Sequence, residues 1–188
     1  MKKMNWIFVS LLLLAGSGIA SAQAEKPAAQ RAPSHVADEW VTHSEKQLLA
    51  AAEAMPADKY SFAPTDGEFR GVRNFARQVK HVAAVNYLCA AGIRGEQAPA
   101  DAADERGPDS ARTKAEIIKY LKDSFAYLHK AVAMIDEKNV FEPIKNPFGK
   151  RAQTRIGLVA GAIAHSSNHY GQMVEYLRMN GIVPPASQ

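Results

Sequence analysis

The chain has 188 residues, with 23 basic and 19 acidic side chains and a formal net charge of +4. That length suits one domain with a substantial core. No run of Lys or Arg is interleaved with aromatic residues, so no nucleic-acid partner is expected. The single cysteine, Cys89, can form neither an internal disulfide nor a cysteine-based metal site, and its neighbours Leu88, Ala90 and Ala91 place it in the interior.

The start, Met1-Lys2-Lys3-Met4-Asn5, is basic, and Trp6 to Ala15 is mainly apolar but too short to span a bilayer. Ala20-Ser21-Ala22 then supplies small residues at both key positions of a cleavage site. These features predict a secretory signal peptide over residues 1–22, cut after Ala22 or, as the second choice, after Ala24. The well-formed small-residue exit disfavours an uncleaved anchor. The protein is therefore expected to be exported, periplasmic or secreted, with no stable membrane insertion after cleavage. Loss of Lys2 and Lys3 halves the formal charge, so the basicity says little about partners. Residues 23–33, rich in Ala, Lys, Gln and Pro, read as a flexible leader, and the domain is expected over 34–188.

Four helices follow in order. Ser34 is a candidate cap for a helix to about Met55, with Val36, Trp40, Val41, Leu48, Leu49 and Ala52 at helical spacing. Pro56 stops it. The second helix starts either at Thr65 with Glu68 or at Asn74. Gly67 and Gly71 favour Asn74, and the helix runs to about Gly92. Val72, Phe75, Ala76, Val79, Val82, Ala83 and Val85 make it apolar over more than half its circumference, the pattern of a largely buried helix. The stretch Gly95 to Ser110 is a long polar loop, either a crossover or a lid over a site. Thr113 and Glu116 form a capping box for a third helix to about Glu137, striped by Ile117, Leu121, Phe125, Leu128, Val132 and Ile135. Thr154 caps a fourth, ending at Asn180-Gly181 before Pro184-Pro185. No segment alternates as a strand should. The fold class is all-α, a four-helix bundle.

The chemistry concentrates in His165-Ser166-Ser167-Asn168-His169. Histidines four apart share one helix face, here with Leu158, Gly161, Ala162, Gln172 and Tyr176, and neutral imidazoles at that spacing can grip one metal ion. The bland alternative is a pair bonded to backbone, to Gln172 or to water. A metal needs a third protein ligand. His81, within an apolar stretch of the second helix, is the natural candidate and His43 the competitor, while His129 beside Lys130 is expected to be exposed. Asn86, Tyr87, Asn168, Tyr170 and Gln172 are polar groups that could orient a ligand or the rings. Gly171 is a candidate point of close helix approach. No general base is evident, because Glu175 lies well off the histidine face.

Four stretches together resemble the DinB/YfiT-like superfamily of metal-binding four-helix bundles. They are Lys59-Tyr60-Ser61-Phe62-Ala63-Pro64-Thr65; Phe75 through His81-Val82-Ala83-Ala84-Val85-Asn86-Tyr87; Thr113-Lys114-Ala115-Glu116-Ile117-Ile118; and His165 through His169-Tyr170-Gly171-Gln172 to Pro185. The resemblance spans about Trp40 to Ala186. It implies up-down-down-up connections and a metal site of His81, His165 and His169, holding a divalent ion, zinc or nickel by ligand type. It also implies metal-dependent hydrolases, or thiol-dependent transferases and isomerases, acting on a small-molecule substrate that the sequence does not identify. An exported protein would lack the cytosolic thiols of the latter group. Two further readings stand beside the enzyme: a non-catalytic metal-binding or interaction module, which could be a homodimer through its helix faces, and a plain bundle with an incidental histidine pair. A fourth metal position opening into a pocket would favour the enzyme.

Overall fold

A computed structural model describes residues 31–188, so the expected signal peptide and most of the leader lie outside the described residues. Four long helices dominate: α1 (Pro33–Ala54), α2 (Phe75–Arg94), α3 (Lys114–Val132) and α4 (Arg155–Met179). None of them is long and apolar enough to cross a membrane.

Local chemistry explains most of the boundaries. Asn74 caps α2 by accepting the Arg77 N–H at 2.9 Å, and Gly95 ends that helix in the left-handed region at φ +71°. Thr113 and Glu116 complete a reciprocal capping box on α3. Thr154 accepts the Gly157 N–H at the start of α4. At α1 the cap position is Ala32 rather than Ser34. Pro33 takes the first helical position, where its missing N–H costs nothing, and Ser34 falls inside the helix. The Lys114 ammonium bonds the Glu53 and Met55 carbonyls at 2.7 and 2.8 Å, satisfying the end of α1.

Helix α3 stops five residues before the expected end at Glu137. The Asp136 carboxylate accepts the Lys138 and Asn139 N–H groups, and the Asn139 amide donates to the Met134 carbonyl. These side chains offer the backbone a turn in place of the helix. Ile135 stays 2% exposed, so the apolar spacing outlasts the helix that it suggested. A minimal ribbon was also not expected: β1 (Pro143–Ile144) pairs antiparallel with β2 (Gln153–Thr154). It closes the loop that leads into α4.

Side-chain pairs fix the helix directions. Lys122 of α3 meets Glu53 at the end of α1, and His129 meets Asp38 near the start, so these helices are antiparallel. Asn86 with Ser124 and Arg94 with Met134 advance together, so α2 and α3 are parallel. Gln78 with Gln172, and Gly92 against Leu158, reverse the order, so α2 and α4 are antiparallel. Each of α1 and α2 packs on both α3 and α4. The order is up-down-down-up: the connections after α1 and α3 join antiparallel helices, and the one after α2 runs back along the bundle, with Glu105 and Pro108 beside the middle of α2. Phe75, Phe125, Leu48, Met55, Leu121, Leu128, Met173 and Leu177 fill the centre. Cys89 is buried as expected, but Val36 and Trp40, placed on the apolar stripe of α1, are exposed. Close helix approach occurs at Gly92, where an added methyl carbon would sit 2.7 Å from Leu158 Cδ1; Gly171 faces open space.

Candidate metal centre

Helix α2 carries His81 and the antiparallel α4 carries His165 and His169, and the three rings meet between them. Their centroids are 4.4 to 4.8 Å apart. One nitrogen from each ring lies within 4.8 Å of the others, and the Nε2 atoms of His81 and His165 are 3.0 Å apart. His81 and His169 are buried, and His165 is partly so. His43, the competing ligand, is exposed on α1 with its ring edge-on to Trp40.

Two of the three outer ring nitrogens are occupied by acceptors, which settles two tautomers. His81 Nδ1 donates to the Glu105 carbonyl at 2.7 Å, and His169 Nδ1 donates to Gln78 Oε1 at 2.6 Å. Each of these rings therefore presents an unprotonated Nε2 toward the others. The Gln78 amide donates to Gln172 Oε1, and the Gln172 amide donates to Asn168 Oδ1, both at 2.8 Å. This chain of amides orients His169 from three residues away, the support that metal-bound imidazoles usually receive.

Burial is the main force on the protonation state. It pushes the His165 ring down to about 4 and the His169 ring down to about 3, with further lowering from the neighbouring histidines and Arg73. His81 is lowered too, mainly by burial, against the opposing pull of its bond to Glu105. All three rings are neutral near pH 7, the form that ligates metal. Among the described residues, His165 Nδ1 is buried without a partner. Two nitrogens on a tetrahedral ion with bonds of about 2.0 Å lie roughly 3.3 Å apart, so the spacing and the donor chemistry both fit a divalent ion.

A cavity of about 290 Å³ opens beside His165. Val85, Cys89, Phe148 and Leu158 give it apolar walls, and Glu105 is the one carboxylate lining it. A larger cavity, about 540 Å³, lies between the end of α2 and residues Ile144–Pro147, away from the histidines.

The remaining expected polar residues divide. Gln172 and Asn168 join the amide chain. Asn86 instead donates to Ser124 of α3, and Tyr87 stacks against Tyr120 and Tyr127. Tyr170 packs at the edge of the core. Glu175 pairs with Arg178 on the surface, in keeping with its place off the histidine face. His129 is half-buried rather than exposed, between Asp38 and Glu45.

Gln78 and Glu105 were missed. Gln78 lies three residues before His81, hence on the same helix face, and that spacing was a readable signal. Glu105 gave none. It adopts φ +60°, the only non-glycine residue with positive φ among those described, and this turn aims its carbonyl at His81.

The sequence profile of the DinB superfamily matches residues 41–173. The chain belongs to the DinB superfamily. Solved structures agree on the fold. A DinB-like protein from Bacillus cereus ATCC 10987 superposes with TM-score 0.66 at 16% identity, covering 80% of this chain and 95% of that one. A conserved protein from Enterococcus faecalis gives 0.62 at 14%, covering 79% and 97%. A DinB-like protein from Bacillus subtilis gives 0.59 at 19%, covering 80% and 98%. A comparison with curated proteins finds no match. At these identities the likeness carries the fold and not the reaction.

Proposed function

We propose that this DinB-superfamily protein is an exported metal-dependent hydrolase or transferase acting on a small molecule. His81, His165 and His169 hold a divalent ion, zinc or nickel. The observation that carries the reading is the convergence of three neutral imidazoles, two of them oriented by hydrogen bonds, beside a cavity that His165 itself lines. An ion bound there by three neutral ligands keeps its full charge and would acidify a water molecule or hold a thiolate. The protein's own groups do the rest. The apolar walls bind the body of the substrate and limit water, and Gln78 and the Glu105 carbonyl hold two rings in register. The Glu105 carboxylate, in the same cavity, is the group positioned to accept a proton from a nucleophile. Segment 95–110 thus acts as a cover that brings both of its Glu105 groups to the centre. The non-catalytic alternative predicts a closed or solvent-flat site, and the cavity argues against it. Export rests on the basic start, the apolar run and the small residues at Ala20 and Ala22.

Elemental analysis of the purified protein beside His81→Ala and His169→Ala tests the centre. Stoichiometric metal in the parent and its loss from both variants is expected. Retention in either variant sinks the three-histidine assignment. Screening the metal-loaded protein against ester, amide and thiol-transfer substrates then tests catalysis, and amino-terminal sequencing of extracellular or periplasmic material tests export.

A further inference from the structure

Three guanidinium groups gather on the α2 side of the histidine centre. Arg73, Arg77 and Arg106, with Gly71, line a pocket of about 260 Å³. All three arginines are exposed to solvent. Arg77 stands four residues before His81, hence one turn along the same helix face. Arg106 follows Glu105, whose carbonyl is fixed on His81. The pocket and the histidines are thereby joined through two separate segments of chain.

The charges in this pocket are only partly compensated: Asp101, Asp104 and Asp109 line an adjoining cavity that Arg77 and Arg106 share, but none of the three lines this one. Arg31, Arg70, Arg94, Arg155 and Arg178 each carry a carboxylate partner. In the pocket only Arg106 does, through Asp104 at 2.7 Å, while Arg73 and Arg77 form no ion pair among the described residues. Arg112 and Arg151 are likewise without one, but neither lines this pocket. The site also sits at the amino-terminal end of α2, whose first turn contains no acidic residue, so the helix dipole adds to the positive potential. Like charges gathered around a void repel one another until an anion enters.

We propose that Arg73, Arg77 and Arg106 form an anion subsite that holds a carboxylate or phosphate group of the substrate beside the three-histidine centre. The planar forks of arginine suit such multi-oxygen groups, which can accept two parallel hydrogen bonds. The substrate is accordingly a small molecule with an apolar part and an anionic end. The existence of the anion site stands without a metal; only its assignment to the substrate rests on the function proposed above.

Calorimetric titration of the metal-free full chain with inorganic phosphate and, separately, with malonate tests the site at low ionic strength. Saturable binding of at least one anion is expected, and the stronger of the two identifies the group. Arg73→Ala and Arg77→Ala should each weaken it about tenfold, the effect of losing one charge-assisted contact. Arg70→Ala, which removes an exposed arginine paired with Glu68, should leave it unchanged. Circular dichroism of every variant separates loss of binding from loss of fold. No saturable binding by the parent overturns the proposal, as does equal affinity in Arg77→Ala or an equal loss in Arg70→Ala. The metal content of Arg77→Ala is measured on the same preparation. Metal retained with anion binding lost supports the subsite separately from the centre, whereas failure of the centre alone appears as missing metal in a parent that still binds the anion.

Discussion

Two helix pairs of this bundle each hold histidine between them, and they treat it in opposite ways. Between α2 and α4, three rings lie together; the groups bonded to their outer nitrogens are a backbone carbonyl and an amide oxygen, both uncharged. Burial, reinforced by the neighbouring histidines, holds those rings neutral. Between α1 and α3, His129 donates to Asp38 at 2.5 Å and contacts Glu45 at 3.2 Å. Burial disfavours its charge, but the two carboxylates outweigh burial and raise its pKa above the ordinary value. Neutral acceptors leave a lone pair free for a metal; carboxylates fix a cation that serves structure. The contrast shows that the partner of a buried histidine, rather than its burial, decides what the residue is for.

The largest expected effect breaks the neutral side of that contrast. His169→Ala should abolish tight metal binding, since two ligands and water do not replace three converging nitrogens. It should also remove the stabilisation by added zinc. The parent should gain about 4 kcal/mol when the metal stands near a thousand times its dissociation constant, and the variant almost none. Chemical unfolding with zinc and with a chelator reads both. A variant still stabilised by zinc would show that the ion sits elsewhere.

Next in size is the amide that orients His169. Gln78→Leu keeps the volume but deletes the acceptor for Nδ1, leaving the ring free to turn. Metal affinity should fall about tenfold to a hundredfold with the fold intact. An unchanged dissociation constant from competition with a chromogenic chelator would mean that packing alone fixes the ring. In contrast, Asn86→Ala should not touch the metal, because Asn86 bonds Ser124 on the far side of α2.

These cases show what could be read from residue order. The helices were legible because Asn74, Thr113 and Thr154 are local signals that act within three residues. His81 was legible as the natural third ligand from its apolar stretch, but its choice over His43 was firm only through the resemblance, since spacing within α4 says nothing of which face α2 turns toward it. The exposed Trp40 and Val36 misled because a hydrophobic stripe shows where apolar residues recur and not how wide the buried face is. The early end of α3 was hidden because Asp136 and Asn139 act through turn hydrogen bonds that compete with a continuing apolar period. His129 looked exposed beside Lys130 because its acceptors lie on α1, more than eighty positions earlier.

The charged side yields a smaller, pH-dependent effect. His129 has a raised folded-state pKa, so its stabilisation is complete below the unfolded value near 6.5 and disappears as pH rises through the folded value. His129→Gln should therefore cost about 1 kcal/mol at roughly pH 6 and close to nothing at about pH 9, given the exposure of Asp38 and Glu45. Urea unfolding of both proteins at the two pH values gives the difference directly. A cost that grew with pH would show the neutral ring to be the bound form. The metal content should be the same in both proteins, since His129 contacts α1 and not the centre.

The smallest effect on stability, and the one that tests the cover, belongs to Glu105. Its left-handed backbone costs about 1 kcal/mol or more in a residue with a side chain, and glycine adopts it freely. Glycine also gives up more freedom on folding, by a similar amount. Glu105→Gly should consequently change the unfolding free energy by less than about 1 kcal/mol. Metal binding should persist, because His81 bonds the backbone carbonyl that remains. Turnover by the loaded protein should fall, because the one carboxylate lining the cavity has gone. Glu105→Gln separates the two roles, keeping the size and the carbonyl while losing the base. If the glutamine variant turns over at the parent rate while the glycine variant does not, the side chain fills the cavity and moves no proton. If both lose metal, the carbonyl depends on the side chain for its place, and segment 95–110 holds the centre together instead of serving its chemistry.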